Sequence, residues 1–297
     1  MSRRGIRKIV LLAMAAILAV LVPILIAEGS VHALRHRLPD AAYADWIIRQ
    51  TGAHFQSVQV TASDGAILDA WLFTPPHPNS AGVLLLHGVN DSRLGVAGHA
   101  PYLLRAGFTV LLPDSRGHGA SGGRLMTYGI QESSDVHIWA DELFREGGIQ
   151  NLYGLGTSMG AAILIQSLAK EPRFRSIVAD SPFDTFENVA YYRLEQLSLG
   201  RWASWPTAQV GFLYVRCRYG VNLKQASPAA AITKTRVPIL LIHGLRDVNI
   251  PPAHSRHLHE LNPDATELWL VPEAVHIASF GARPEEYMRR VLDWFRK

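Results

Sequence analysis

Six short, nearly continuous apolar runs recur through the chain: "GVLLLH" (82–87), "FTVLLPD" (108–114), "NLYGLG" (151–156), "SIVAD" (176–180), "PILLIHG" (238–244) and "TELWLV" (266–271). Runs of this length without polar alternation fit strands covered on both faces. Helical spacing of apolar residues lies between them, over about 96–106, 131–146, 158–170, 252–261 and 284–296. Strands alternating with helices mean βαβ crossovers, hence a mostly parallel sheet with helices on both faces. Upstream, "FQSVQVTA" and "ILDAWLFT" alternate apolar and polar residues around Ser63-Asp64-Gly65. That pattern reads as an antiparallel hairpin and brings the expected sheet to eight strands. A short amphipathic helix containing "AAYADWIIRQ" precedes the hairpin, within 38–52.

The 297 residues suffice for one large α/β domain or two small ones. No internal repeat or low-complexity tract interrupts them. Cys217 is the only cysteine, which rules out an intramolecular disulfide. The net charge of +4 comes from one end of the chain. Of 29 basic and 25 acidic side chains, Arg3, Arg4, Arg7, Lys8, Arg35, Arg37 and Glu28 lie in the first 37 residues, leaving 23 basic against 24 acidic. A nearly neutral body lacks the basic face that nucleic acid requires, so no nucleic-acid partner is expected.

Residues Ile9 to Ala27, "IVLLAMAAILAVLVPILIA", carry no charge over 19 positions. About 20 apolar residues cross a bilayer as a helix, and Pro23 sits where a kink is tolerable. Four cations precede the run and two follow it, which favours a cytoplasmic N-terminus with the rest of the chain on the periplasmic or extracellular side. A cleaved signal peptide is the competing reading, because Val31-His32-Ala33 offers small residues for cleavage and would leave a secreted protein. The run, however, is longer than a usual signal core. A buried helix of a soluble domain is the third reading. We therefore expect an anchor with basic flanks over 1–37 and one domain over 38–297.

One segment breaks the alternation. Residues 183–225 separate two strands by more than a usual connection and hold Phe183, Phe186, Tyr191, Tyr192, Trp202, Trp205, Phe212, Tyr214 and Tyr219 with Arg193, Arg201, Arg216 and Arg218. A long aromatic insert reads as a cap over a pocket, or as a helical excursion with its own small core.

"GLGTSMGAA" (154–162) has two readings. Gly154-x-Gly156-x-x-x-Gly160 could cradle a dinucleotide pyrophosphate, and Asp180 stands near the distance such a turn needs for its acidic partner. A dinucleotide turn, however, should open its sheet, and here at least four strands come first. Gly156-x-Ser158-x-Gly160 is instead a nucleophile elbow, which demands a carboxylate and then a histidine in loops after later strands. Asp247 follows "PILLIHG", and His276 follows the last strand. Backbone N–H groups of Met159, after the serine, and Val89, in the loop after the third strand, would form an oxyanion hole. The chain thus supplies Ser158, Asp247 and His276 in the required order.

Those residues resemble the α/β-hydrolase superfamily. The resemblance rests on "LLLHGVNDSR" (84–93), "PDSRGHGASGG" (113–123), "GLGTSMGA" (154–161), "ADSPF" (179–183), "HGLRDVNIPPAHS" (243–255) and "VH" (275–276), and runs from about residue 55 to the C-terminus. It is nearest to membrane-anchored hydrolases similar to the prolyl-oligopeptidase-like and serine-aminopeptidase-like branch. The resemblance implies an eight-stranded sheet with an antiparallel second strand and a cap after the sixth. Val275 departs from it, since members often carry glycine or a small polar residue before the histidine. Some members place the acid after the sixth strand, which makes Asp180 the rival to Asp247; the pattern HG-x-x-D favours Asp247.

The remaining polar residues have plainer expected roles. His87 is read as structural, His118 and Arg116 as shaping a loop, and Asp114 as capping or pairing with Arg116. Glu273 lies too near His276 in sequence to orient it. His254, His257 and His259 are expected to face solvent from a polar helix. No cluster has metal-ligand spacing, so neither metal nor cofactor is expected. The expected chemistry is hydrolysis of a small-molecule carboxylic ester or thioester, possible substrates including lipids and peptides. The same constellation serves a peptidase or amidase, and a membrane-tethered binding protein on an inactive fold is the third alternative.

Overall fold

The computed structural model describes residues 3–34 and 40–297, with the side chains of residues 40, 198, 199 and 201 outside that description. The chain begins with α1 (Arg3–Val31) and α2 (Asp40–Thr51), followed by the hairpin β1 (His54–Thr61) and β2 (Ile67–Thr74). Then come β3 (Ala81–Leu86), a 3-10 turn over Arg93–His99, α3 (Ala100–Arg105), β4 (Thr109–Pro113), α4 (Glu132–Arg145), β5 (Asn151–Thr157), α5 (Met159–Ser167) and β6 (Phe174–Asp180). After β6 the chain forms α6 (Phe186–Leu194), a π turn (Glu195–Leu199), α7 (Gly200–Tyr219), a second 3-10 turn (Leu223–Gln225) and α8 (Pro228–Ile232). It closes with β7 (Ile239–Gly244), α9 (Ala253–Leu261), β8 (Thr266–Val271), α10 (Ser279–Ala282) and α11 (Pro284–Arg296).

The eight strands form one sheet in the order β1-β2-β4-β3-β5-β6-β7-β8. β2 is antiparallel to both its neighbours, and every other pairing is parallel. The expected eight-stranded α/β-hydrolase sheet with a reversed second strand is therefore the observed one. The apolar runs show why. Leu84 and Leu86 enter one core while Val83 and Leu85 enter the other. Leu241 and Ile242 divide in the same way in β7. Side chains on a strand alternate faces, so a strand buried twice is apolar at most positions, and each fully buried Leu or Ile contributes about 1.5–3 kcal/mol.

Helices cover both faces. The face holding α4, α5 and the 183–225 segment is one core, and the face holding α2, α3 and α11 is the other. In α11, Tyr287, Val291, Trp294 and Phe295 are buried, one stripe at helical spacing. The helix expected over 96–106 splits instead into the 3-10 turn and α3. Pro101, in the first turn of α3, has no N–H with which to continue a helix from upstream.

In α1, only Pro23, Ala27 and Val31 are buried, four residues apart, and among the described residues the large apolar side chains from Ile6 to Val22 are exposed. The buried stripe lies against α7, where Gly211 permits close approach. A Cβ there would stand 3.4 Å from that of Ala27. This overturns the reading of the apolar run as the buried helix of a soluble core. One helix is thus long and apolar enough for a membrane span or a signal sequence. The 37/38 boundary, Arg35 and Arg37 lie outside the described residues, as does the side chain of Arg201.

Candidate active site

The β5–α5 connection places Ser158 at φ 53°, ψ −115°, a left-handed backbone unusual for a side-chain-bearing residue. Crowding explains the flanking glycines. A Cβ on Gly156 would fall 2.5 Å from the backbone of Gly160, and one on Gly160 would fall 2.3 Å from the Leu86 carbonyl oxygen. The hydroxyl consequently stands at the end of the sheet, and the Ser158 N–H is held by the Asp180 carbonyl at 2.8 Å. Gly154 lies earlier in β5, where a Cβ would press on Leu164 and Phe174 at 3.0–3.1 Å. Its role is packing, and no phosphate cradle is needed to account for it.

The fold brings His276 and Asp247 to this serine. His276 Nε2 lies 2.9 Å from Ser158 Oγ, and Nδ1 lies 2.6 Å from Asp247 Oδ2. The second carboxylate oxygen, Oδ1, accepts from the N–H groups of Asn249 at 2.8 Å and Ile250 at 2.9 Å. A buried carboxylate is therefore held from both ends. Burial works to raise the Asp247 pKa, but hydrogen bonds from His243 and His276 outweigh it and hold the group well below the usual carboxylate range. With an anion at Nδ1, that nitrogen carries the proton and Nε2 is free to accept from the serine hydroxyl. The residue after His276, Ile277, adopts φ 53°. Such a conformation in a β-branched residue costs on the order of 1–3 kcal/mol and persists where surrounding contacts over-determine it.

His243 was not singled out from sequence. It is fully buried at the end of β7, with Nε2 2.8 Å from the Ile250 carbonyl and 3.3 Å from Asp247 Oδ2. Its Nδ1 shares a hydrogen bond with Ser255 Oγ at 2.6 Å. Two acceptors at Nε2 require the proton there, so the ring buttresses the carboxylate. The available signal was the repeated His-Gly pair that closes β3 and β7.

The loop after β3 is organised by two more histidines. His87 Nε2 accepts from the Ser115 N–H at 2.9 Å, so Nδ1 donates to the Gly88 carbonyl at 2.7 Å. In a trans peptide the next N–H, on Val89, points away from that carbonyl. His118 Nε2 likewise accepts from the Asn90 N–H at 3.2 Å and its Nδ1 donates to the Arg116 carbonyl at 3.0 Å. Burial lowers the His87 pKa, and burial followed by the neighbouring His87 ring lowers His118 to about 4, so both stay uncharged. Val89 and Met159 line the same cavity as Ser158 and His276.

Other expected partners differ. Asp114 pairs with Arg93, at 2.5 Å to Nη2 and 2.7 Å to the backbone N–H, and not with Arg116. Arg116 instead holds Asp135 through two bonds of 2.7 Å and reaches Asp64 at 2.8 Å. The sequence neighbours are pulled apart because the loop after β4 turns their side chains toward different elements. The histidines of α9 are not simply solvent-facing. His254 is buried, and both it and His257 contact the Asp184 carboxylate, at 2.7 and 2.8 Å, while His259 contacts Thr266 at 2.7 Å. Asp184 lies in the loop after β6. Asp180 is buried and hydrogen-bonded by Ser181 Oγ at 3.0 Å, whereas His276 Nδ1 is engaged by Asp247. Glu273 pairs with Arg283 at 2.6 Å.

Ser158 opens into a cavity of about 460 Å³, within the usual range for small-molecule sites. Its wall is largely apolar, with Phe183, Phe186, Leu194 and Phe212 from the 183–225 segment and Pro23, Ile26 and Ala27 from α1. No Asp or Glu is among the described lining residues. Among the described residues, no group of three or more His, Cys, Asp or Glu could hold a metal ion.

Comparison with known proteins agrees with this architecture. A family model described as serine aminopeptidase, S33, matches residues 77–211. The Bacillus subtilis protein YqkD is 29% identical over 222 residues, which cover 74% of this chain and 72% of that one. A Pyrococcus furiosus esterase, Pf2001, superposes with a TM-score of 0.72 at 23% identity, covering 90% of this chain and 98% of its own. A Pyrococcus horikoshii acylaminoacyl peptidase superposes with a TM-score of 0.62 at 15% identity, covering 86% of this chain and 43% of its own.

Proposed function

We propose, from the premise that the chain belongs to the α/β-hydrolase superfamily, that it is a serine hydrolase of carboxylic esters or thioesters acting through Ser158, His276 and Asp247. The observation that carries this reading is the unbroken hydrogen-bond line from Ser158 Oγ through His276 to Asp247 Oδ2, at 2.9 and 2.6 Å. His276 Nε2 removes the hydroxyl proton as Oγ attacks the acyl carbonyl. The N–H groups of Val89 and Met159 hold the oxyanion, and one such donor is worth about 100- to 1,000-fold in rate. His276 then protonates the leaving alcohol or thiol as its bond to the acyl carbon breaks. Water, deprotonated by the same nitrogen, attacks the acyl-enzyme and releases the acid. Residues 183–225 act as the cap, and α1 as the anchor that keeps the N-terminus cytoplasmic and the 38–297 domain across the membrane.

Cleavage of peptides or amides by the same residues is the second reading, favoured by the likeness to the S33 family and the acylaminoacyl peptidase. The cavity lining weighs against the aminopeptidase form of this reading. An aminopeptidase needs an anion to hold its substrate's ammonium, and the described wall provides none. A fluorophosphonate probe should label Ser158, and Ser158→Ala should lower hydrolysis of p-nitrophenyl esters by at least about 1,000-fold. Faster turnover of aminoacyl-nitroanilides than of esters would favour the peptidase, and near wild-type ester hydrolysis by the variant would refute the nucleophile.

A further inference from the structure

α1 is both the apolar helix and part of the cavity wall. Its uncharged run, Ile9 to Ala27, is about 28 Å long at 1.5 Å per residue, close to the hydrocarbon thickness of a bilayer. Pro23, Ile26 and Ala27, which line the cavity, form the last turns of that run. Just beyond it the helix is tied to the body. Tyr214 and Tyr219 hydroxyls donate to the Glu28 carboxylate, the latter at 2.8 Å. The Met126 N–H donates to the Val31 carbonyl at 3.0 Å, and the Leu34 N–H donates to Asn90 Oδ1 at 2.9 Å. Removing the chain up to Ala33 would take away a wall of the cavity.

A second observation concerns α7. Pro23 and Ala27 lie against Gly211, and Glu28 meets Tyr214 and Tyr219, so the two helices run in the same direction. The first turns of α7 therefore extend back toward the bare part of α1. Trp202 and Trp205 sit there, 86% and 62% exposed, and Leu197 in the preceding turn is 62% exposed. Large apolar side chains left open in one region mark a contact surface. The patch is continuous with a helix that matches a bilayer in length, so the occupant that fits it is the lipid leaflet around α1.

We propose that the cavity is loaded from the bilayer: α1 is retained, its emerging turns and the cap tryptophans hold the cavity against the leaflet, and the substrate is a long-chain acyl ester lipid resident there. This rests on the ester hydrolase reading above. The test uses the full chain in phosphatidylcholine vesicles and compares p-nitrophenyl palmitate carried in the vesicles with p-nitrophenyl butyrate in water. The ratio of the palmitate rate to the butyrate rate should fall at least about tenfold in the double variant Trp202→Glu, Trp205→Glu. Independently, Ile26→Trp, which narrows the α1 wall, should shift the preferred acyl chain to a shorter one. Butyrate turnover and fluorophosphonate labelling with an unchanged ratio and unchanged chain preference would overturn the lipid inference and leave the hydrolase reading standing. Failure of both esters and of labelling would overturn the two together.

Discussion

Replacing Asp247 by asparagine isolates the electrostatic part of the proposed mechanism, because the structure dictates how the introduced amide must lie. The N–H groups of Asn249 and Ile250 point at Oδ1 from 2.8 and 2.9 Å. An amide carbonyl can take that place, whereas a flipped amide would set its NH2 against two donors. Leaving two buried donors unpaired costs about 1–3 kcal/mol each, whereas the His243 Nε2–H that would meet the NH2 keeps the Ile250 carbonyl at 2.8 Å as its acceptor, so the unflipped orientation is favoured. The NH2 then faces His276 Nδ1 in place of Oδ2, which stands 2.6 Å away in the wild type. Nδ1 must become an acceptor, and Nε2 carries the proton toward Ser158 Oγ. The base now presents a donor to the hydroxyl it should deprotonate. A loss of about 10,000-fold in kcat is expected, or about 5.5 kcal/mol of barrier, with KM little changed. Steady-state hydrolysis of p-nitrophenyl butyrate at neutral pH measures it, and the same assay on Asp180→Asn is the control. Activity within tenfold of wild type for Asp247→Asn, together with an inactive Asp180→Asn, would show that the acid had been misassigned.

Two further outcomes are expected. His87→Phe keeps ring volume but loses the bond to the Gly88 carbonyl, 2.7 Å long in the structure, so the Val89 N–H should lose its aim. We expect kcat to fall about 10- to 100-fold with KM within about threefold, and an unchanged kcat would detach His87 from the oxyanion site. Burial raises the Asp180 pKa from 3.8 to about 6. Between those values the folded protein holds a proton at Asp180 that the unfolded chain releases, so this group's contribution to stability falls by up to about 3 kcal/mol as pH rises from about 4 through 6. His99 and His118, each lowered to about 4 by burial, act in the opposite direction, and the readout is the difference between variant and wild type. Asp180→Asn should remove that fall, and urea denaturation of both proteins at pH 4 and pH 7 would show it. A variant with the wild-type pH slope would contradict the assigned cause.

The sequence determined which residues could form strands, because a strand covered on both faces leaves few positions where a polar side chain finds a partner. Val83 through Leu86 show that constraint as an unbroken apolar run whose members divide between two cores. It also marked Ser158, since Gly156 and Gly160 are the residues a crowded turn leaves no choice about, and it marked Asp247 and His276 by their places after strand ends. What it left undecided was every relation carried across the fold. His243 buttresses Asp247 through a ring whose two nitrogens find partners only when β7, the following loop and α9 converge. Arg116 pairs with Asp135 and not with Asp114, its neighbour two residues away, because the turn after β4 sends the two side chains to different elements. The end of α1 lines the cavity of a serine more than a hundred residues further along. Hydrophobic periodicity is a local property of a strand or helix and can be read locally. Hydrogen-bond partners and shared cavity walls depend on how those elements are packed, so they became definite only in the tertiary structure.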